Sequence, residues 1–207
     1  EGRLTEAVDL LAGRNRGRPN ESDEVRLLDL RRQAAAVVDG ASRTPWPPHY
    51  ADPFPDVVAE LPQIQAQDLG EPVLGGAVLH HGALSVKELL TEGQVQEVRQ
   101  AIDLAQRPAE GPASASGGRW YRPLPKVDRD SRILRKMVAG QGGTWMADSP
   151  ATTALVLDQL QGTGATAAIA DYFGCRPLFS LQKSTLRRSP PVFNYAGWHQ
   201  DGSFLGA

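Results

Sequence analysis

The stretch TLRRSPPVFNYAGWHQDGSFLG, residues 185–206, contains the pattern from which the fold can be predicted. His199 and Asp201 are separated by one residue, so both side chains project from the same face of an extended chain. An imidazole and a carboxylate on one face favour a divalent metal of intermediate hardness, such as Fe(II), Mn(II) or Zn(II). H-x-D is a short motif that often arises by chance, so its weight depends on the surrounding sequence.

The sequence before this motif alternates helix and strand signals. Residues 177–188 have β-strand character. Further upstream, Ser149 followed by Pro150 predicts the start of a helix, with proline at its first position. The apolar spacing that follows predicts two short helices, with a break at Gly162 and Gly164.

The runs TLRRSPP and GWHQDGSFLG together resemble the phytanoyl-CoA dioxygenase family of Fe(II)- and 2-oxoglutarate-dependent oxygenases. The resemblance covers residues 70–207, and its specific motif lies within 183–206. It implies an α+β protein built on a double-stranded β-helix, a cupin-like jelly-roll with flanking helices. This chain would contain only the N-terminal portion of that domain.

The resemblance also implies a site and a reaction. His199 and Asp201 would bind Fe(II), and 2-oxoglutarate would bind as the cosubstrate. Gln182 and Lys126 occupy positions similar to those that contact the cosubstrate in some family members. The expected reaction is hydroxylation of a small or lipid-like molecule, with succinate and carbon dioxide as co-products.

The chain departs from the family pattern after Asp201. The family uses a distal histidine and then a basic residue, usually arginine, that binds the far carboxylate of 2-oxoglutarate. The other histidines, His49, His80 and His81, all precede His199. We therefore expect that the parent polypeptide continues and that this chain alone is inactive. The alternative is a jelly-roll binding or regulatory module without catalysis.

The first 40 residues predict a helical arm. Apolar spacing predicts one helix that stops near Gly13 and a second that is capped by Ser22 and ends at Gly40. Because the arm is amphipathic, we expect it to pack on the main domain or on a partner, including a second copy of the chain.

Residues 41–70 are rich in proline, which excludes helix and central strand where the prolines cluster. This composition predicts an extended segment that lies on the main body. Trp46, Tyr50 and Phe54 are its expected anchors.

Residues 71–207 form the predicted oxygenase portion. A strand is expected around 77–86, and Thr91 with Gln94 predicts a capping box that begins a helix. Residues 107–118 have the composition of a linker or loop.

Other residues of this portion carry weaker signals. The aromatic segment 119–127 predicts a strand or sheet edge, and Cys175 is expected to be a buried small hydrophobe. His80 and His81 would point to opposite faces of the predicted strand, which argues against joint chelation and favours exposed or hydrogen-bonded roles. The adjacent Arg187 and Arg188 are expected to form structural ion pairs.

Composition narrows the class of protein. The 207 residues carry a formal net charge of −2, which does not favour general binding to nucleic acid or to a membrane surface. No apolar run approaches the ~20 residues of a membrane helix, and the start lacks a signal-peptide pattern. One cysteine is consistent with a reducing cytoplasm. Taken together with the family resemblance, these features lead us to expect a cytoplasmic enzyme with a small-molecule substrate.

Overall fold

The computed structural model describes residues 2–37, 48–109, 118–124, 129–181 and 184–188. These residues combine helices with short strands, which confirms the predicted α+β class at this level. The strands form two separate two-stranded sheets within the described ranges, so the jelly-roll stays a prediction. The elements are α1 (Gly2–Gly17), α2 (Glu21–Val37), β1 (Gln63–Gln65), α3 (Glu71–His81), β2 (Ser85–Lys87), α4 (Glu92–Ala109), α5 (Arg129–Gly140), β3 (Gly143–Trp145), α6 (Pro150–Gly162), α7 (Ala165–Phe173) and β4 (Thr185–Arg187).

The centre of the structure is a continuous buried segment, residues 143–154. It comprises β3, a 3-10 turn (Met146–Asp148) and the first turn of α6. The predicted helix start at Ser149 and Pro150 is confirmed, as is the break between α6 and α7. The Ser149 hydroxyl donates to Thr152 Oγ1 at 2.7 Å instead of capping a backbone amide.

The helical arm is confirmed and packs against the rest of the same chain. Leu27 and Leu30 of α2 form a small core with Val8 of α1. Leu28 packs instead with Leu124 and other residues of the body. Apolar side chains of both helices are therefore buried within the chain, while self-association through the arm stays a prediction.

Two predicted helix ends in the arm were wrong. Helix α1 continues through Gly13 to Gly17, since an interior glycine costs only about 1 kcal/mol relative to alanine and α1 packs on α2. Helix α2 is capped by Asn20, whose Oδ1 accepts the Asp23 amide at 3.0 Å, and Ser22 lies inside the first turn. Asparagine and serine are similarly good caps, so sequence alone does not rank them. The predicted end at Gly40 lies outside the described residues.

A buried ion pair fixes the arm to the body. Glu24 of α2 is only 2% exposed. Arg119 donates its Nε to Glu24 Oε2 at 2.9 Å, and its Nη2 to the other carboxylate oxygen. The Arg119 guanidinium also lies over the ring of Trp120, 5.2 Å from its centroid. This bidentate geometry sets the orientation of α2 on the body.

The described part of the proline-rich segment lies on α3 and α7. Tyr50 stacks on Tyr172 with ring centroids 6.0 Å apart and donates a hydrogen bond to Glu71. A Cβ at Gly75 would lie 2.5 Å from the Tyr50 ring, so glycine permits this close contact. Tyr50 is thus an anchor as predicted, and Phe54 contacts His81 edge-on. Trp46 lies outside the described residues.

The strand predicted at 77–86 was wrong. Helix α3 includes residues 71–81, and only Ser85–Lys87 forms a strand, parallel to β1. Pro72 stands in the first turn of α3, where proline is tolerated. A short apolar run fits a buried helix as well as a strand, so its periodicity could not decide between them.

The capping box of α4 is confirmed. The Thr91 amide donates to Gln94 Oε1 at 2.9 Å, and the Gln94 amide donates to Thr91 Oγ1 at 3.3 Å. The helix continues to Ala109, so the predicted linker at 107–118 begins later than expected. Its residues 110–117 lie outside the described part.

The described part of the segment 119–127, residues 119–124, contains no strand, contrary to prediction. It is instead a non-regular segment whose backbone bonds to the start of α6. The Ala151 amide donates to the Arg119 carbonyl at 3.0 Å, and the Arg122 amide donates to the Asp148 carbonyl at 2.7 Å.

Replacing Glu24 with alanine is expected to lower the free energy of unfolding by about 2–3 kcal/mol, because Arg119 loses a buried, bidentate partner. Urea denaturation of the two proteins measures the change. The matched control is Glu21→Ala, which removes an exposed partner of Arg122 at 3.3 Å and should cost less than about 1 kcal/mol. Equal losses in both variants would contradict the role assigned to Glu24.

Candidate metal centre

All four predicted site residues lie outside the described part of the chain. They are the metal ligands His199 and Asp201 and the cosubstrate contacts Gln182 and Lys126. Their roles stay predictions. The described residues establish how the segments that lead to them are held.

Strand β4 leads toward the H-x-D motif and pairs antiparallel with β3. Thr185 lies opposite Trp145, and the Met146 amide donates to the Ser184 carbonyl at 3.0 Å. Leu186 is buried against Ala105 and Met146. The strand is shorter than the predicted 177–188, because the described residues 177–181 have no partner strand.

Glycine at 143 permits β3 to lie close to α5 and β4. A Cβ at that position would lie 2.9 Å from Val138 Cγ1 and 3.3 Å from Arg187 Cγ. The first distance is shorter than real Cβ contacts allow. A larger residue at this position would therefore force β3 and α5 to separate, while the Arg187 side chain of β4 would have to move only slightly.

Helix α4 binds β4 and the residue just before β3 through one buried amide. Gln106 is 3% exposed, and its Nε2 donates to the carbonyls of Gly142 and Leu186 at 3.1 and 3.2 Å. Arg188, next to β4, forms an ion pair with Asp103 of α4 at 2.8 Å. A structural ion pair is thus confirmed for Arg188, while Arg187 Nε donates to Thr185 Oγ1 at 3.1 Å.

A buried carboxylate, Asp148, holds the segment that precedes Lys126. Its Oδ1 accepts the Leu124 amide at 3.0 Å and Arg135 Nη2 at 2.8 Å. Asp148 is 1% exposed, and burial raises its pKa even though both donors oppose the shift. Burial also raises the pKa of Tyr121, and the charge of Asp148 adds to that shift.

Arg135 completes this cluster by covering Trp145. Its guanidinium carbon lies 5.0 Å from the centroid of the indole, a cation–π contact. Arg135 Nε and Trp145 Nε1 are buried and have no hydrogen-bond partner among the described residues. With one carboxylate and one permanent cation, the cluster is suited to positioning the chain and not to holding a metal.

The histidines of α3 are hydrogen-bonded, as predicted, although on a helix instead of a strand. His80 Nε2 lies 2.8 Å from the Tyr50 carbonyl, and His81 Nε2 lies 2.8 Å from Asp52 Oδ1. The hydrogen bond from the Phe54 amide lowers the pKa of Asp52, and the hydrogen bond to His81 lowers it further. These rings bind the proline-rich segment to α3.

No group of three His, Cys, Asp or Glu side chains that could hold a metal occurs in the described ranges. Cys175 is half-buried and unbridged, so it is less enclosed than predicted. An open groove of about 230 Å³ runs along one face of α4. All of its lining residues come from that helix: Gln96, Arg99, Gln100, Asp103, Leu104 and Arg107.

Comparison with protein-family models, curated proteins and solved structures finds no match. Among the residues that the structure describes, no helix is long and apolar enough to cross a membrane.

Sequence reasoning missed that Glu24 and Asp148 are almost fully buried. Glu24 looked like one of several acidic residues in a helix first turn, and Asp148 like a polar residue before a helix start. Their partners, Arg119 and Arg135, lie in other elements. The Asp-Ser-Pro run marked a helix start, but the Asp148 carboxylate binds the Leu124 amide and Arg135 instead of the amides of that helix, so local sequence could not have identified its partners.

Asp148→Asn is expected to change how stability depends on pH. The folded protein holds the Asp148 proton more tightly than the unfolded chain, because its pKa is raised above 3.8. The stabilisation that Asp148 contributes to the folded protein is therefore greatest at acidic pH. It declines as the pH rises through the pKa of Asp148 in the folded state. Urea denaturation should show the stability of wild type relative to Asp148→Asn decreasing from about pH 3 to about pH 7.

Asp23→Asn is the control of opposite sign. The hydrogen bond from Arg14, followed by that from Asn20, lowers the pKa of Asp23. Asp23 therefore stabilises the folded protein above pH 3.8, and this stabilisation is lost as the pH falls through the lowered pKa. The stability of wild type relative to this variant should increase with pH; parallel pH curves for the two variants would contradict the assignment.

Proposed function

We propose that the polypeptide containing this sequence is a non-haem Fe(II)- and 2-oxoglutarate-dependent dioxygenase with a double-stranded β-helix fold. It hydroxylates a small or lipid-like substrate in the cytoplasm and forms succinate and carbon dioxide. The observation that carries the proposal is His199-Gln-Asp201 within GWHQDGSFLG, preceded by TLRRSPP.

The described residues around β4 support this proposal. The strand begins at Thr185 and is held by β3 on one side and by Gln106 of α4. A metal ligand must be held within a fraction of an ångström of its productive position, which requires a rigid supporting element. Leu186 is the buried anchor of this strand, 13 residues before His199 in the sequence.

The roles of the site residues follow from their chemistry. An imidazole at His199 and a carboxylate at Asp201 fit Fe(II) and leave coordination positions open for a cosubstrate. When bound, the iron and 2-oxoglutarate supply the oxidising power of the reaction. Lys126 would bind a cosubstrate carboxylate as a point charge, and Gln182 would donate its amide to a cosubstrate oxygen.

The anchoring of Leu124 supports the role of Lys126. The Leu124 side chain is buried and its amide donates to Asp148 at 3.0 Å, two residues before the lysine. The described chain is therefore held in place shortly before the lysine that the proposal assigns to a cosubstrate carboxylate.

The test is succinate formation by the protein expressed from the complete reading frame that contains these residues. We expect turnover that requires both Fe(II) and 2-oxoglutarate, and a decrease of more than about 100-fold in His199→Ala, which removes a metal ligand. Detection of succinate also registers turnover that is uncoupled from substrate.

The matched control is His80→Ala, because this histidine bonds to the Tyr50 carbonyl and not to the proposed metal. It should retain succinate formation within about threefold of wild type, a change of less than about 1 kcal/mol. No succinate from the iron-loaded wild type would overturn the proposed reaction. Retained binding of 2-oxoglutarate without turnover would indicate a binding or regulatory module.

A further inference from the structure

The open groove on helix α4, which we call the α4 groove, lies on the outer side of that helix. Side chains between Gln96 and Arg107 line it. The inner side of α4 packs against α6 and β3, where Ala101 and Ala105 are buried. Most of the lining side chains are exposed, so a partner in solution can reach the groove.

Two arginines of the α4 groove have no carboxylate partner. Arg99 and Arg107 are exposed, and neither forms an ion pair with any residue that the structure describes. Arg99 Nη1 donates to the neutral Gln96 Oε1 at 3.5 Å, a long hydrogen bond. Because guanidinium groups stay charged throughout the accessible pH range, both side chains present unpaired positive charge to solvent.

The carboxylate among the lining residues, Asp103, is already paired. Arg188 Nε donates to Asp103 Oδ1 at 2.8 Å, and Arg188 Nη2 donates to the Asp103 carbonyl at 3.4 Å. Glu92, at the start of α4, accepts a hydrogen bond from Gln96 Nε2 at 2.6 Å and adds negative charge at that end. The excess of positive charge is therefore greatest toward the C-terminal end of the groove.

The distance between the two arginines selects the kind of anion. Arg99 and Arg107 are eight residues apart, which corresponds to about 12 Å along a helix axis. A single phosphate or carboxylate is too small to bind both guanidinium groups at that separation. Carboxylates at positions i and i+4 of an extended peptide lie about 13 Å apart and on the same face of the chain. An extended acidic peptide therefore matches the spacing.

We propose that the α4 groove is a docking site for an extended acidic peptide segment of a partner protein, with carboxylates at positions i and i+4. Arg99 and Arg107 each bind one carboxylate through the parallel N–H donors of the guanidinium group. Between them, the exposed amide of Gln100 donates to and accepts from the peptide backbone. Leu104 is half-buried and provides an apolar contact.

The groove suits a peptide better than a nucleic acid. None of the described lining side chains is aromatic, so bases would have no ring on which to stack. Asp103 lies midway between the two arginines in sequence, where it would repel a continuous phosphate backbone. A peptide can place an uncharged residue at that point, and the formal net charge of −2 does not favour general binding of nucleic acid.

The docked peptide would lie on the helix that supports β4. Asp103 is bonded to Arg188, which directly follows β4, and Gln106 of the same helix donates to the Leu186 carbonyl at 3.2 Å. The site uses none of the predicted iron or cosubstrate ligands. Its test therefore requires neither iron nor 2-oxoglutarate, and its outcome is independent of the proposed reaction.

Titration of the ¹⁵N-labelled full chain with a blocked peptide, Gly-Glu-Ser-Gly-Ser-Glu-Gly, tests the proposal by nuclear magnetic resonance. The Nε–H signals of Arg99 and Arg107 and the amide signals of α4 should shift and saturate. The comparison peptide, Gly-Ser-Glu-Glu-Ser-Gly-Gly, has the same composition with adjacent glutamates. Its apparent Kd should be at least about fivefold higher, because it can reach only one arginine at a time. Added sodium chloride should weaken both interactions.

Arg99→Gln and Arg107→Gln should each raise the apparent Kd of the first peptide at least about threefold and remove the preference between the two peptides. Glutamine is a helix former similar to arginine, so α4 should stay intact. The matched control is Arg18→Gln, which removes the same charge from an exposed position between α1 and α2 and should bind as wild type does.

Three outcomes would overturn the proposal. The first is the absence of a saturable shift in α4, and the second is equal affinity for the two peptides. The third is unchanged affinity in both Arg99→Gln and Arg107→Gln. Tighter binding of a short oligothymidylate through the same arginine signals would also overturn it, because the groove would then be a nucleic-acid site.

Discussion

The structure depends on satisfying the backbone of one buried segment, residues 143–154. Buried amides and carbonyls need partners, because an unpaired one loses its hydration without compensation. Part of this requirement is met by two chain segments that run beside it. Arg119 bonds to Ala151 in the first turn of α6, Arg122 bonds to Asp148 in the 3-10 turn before it, and Ser184 bonds to the residue after β3. The positions of both neighbouring segments therefore follow from the burial of the central one.

The same constraint extends outward to the arm. The Arg119 carbonyl accepts the Ala151 amide, while the Arg119 side chain binds the buried carboxylate of Glu24. One residue thus connects the central segment to α2. Because α2 also packs on α1, the two arm helices are positioned relative to the body by apolar contact and by a single buried ion pair. The exposed ion pairs between arm and body, Arg16–Asp158 and Arg176–Asp9, add less, since water screens them.

Local signals in the sequence predicted local structure well. The capping box at Thr91 and Gln94 and the helix start at Ser149 depend only on residues within one helical turn. Signals that depend on packing were weaker. The apolar run at 77–86 became helix α3, and Gly13 did not end α1, because burial against neighbouring elements outweighed local preference. The predicted iron and 2-oxoglutarate ligands stay predictions based on the motif around His199.

The sequence by itself determined the helical arm and the starts of α4 and α6, and it contains the H-x-D pattern on which the prediction of a metal site rests. These depend on residues within a few positions of one another, where bonding geometry is set by the local backbone. Only the tertiary structure decided which charges are buried and paired. Glu24 meets Arg119 and Asp148 meets Arg135, whereas the buried Nη1 of Arg31 has no hydrogen-bond partner among the described residues. Those outcomes require distant segments to meet, and that meeting is determined by the packing of the whole chain.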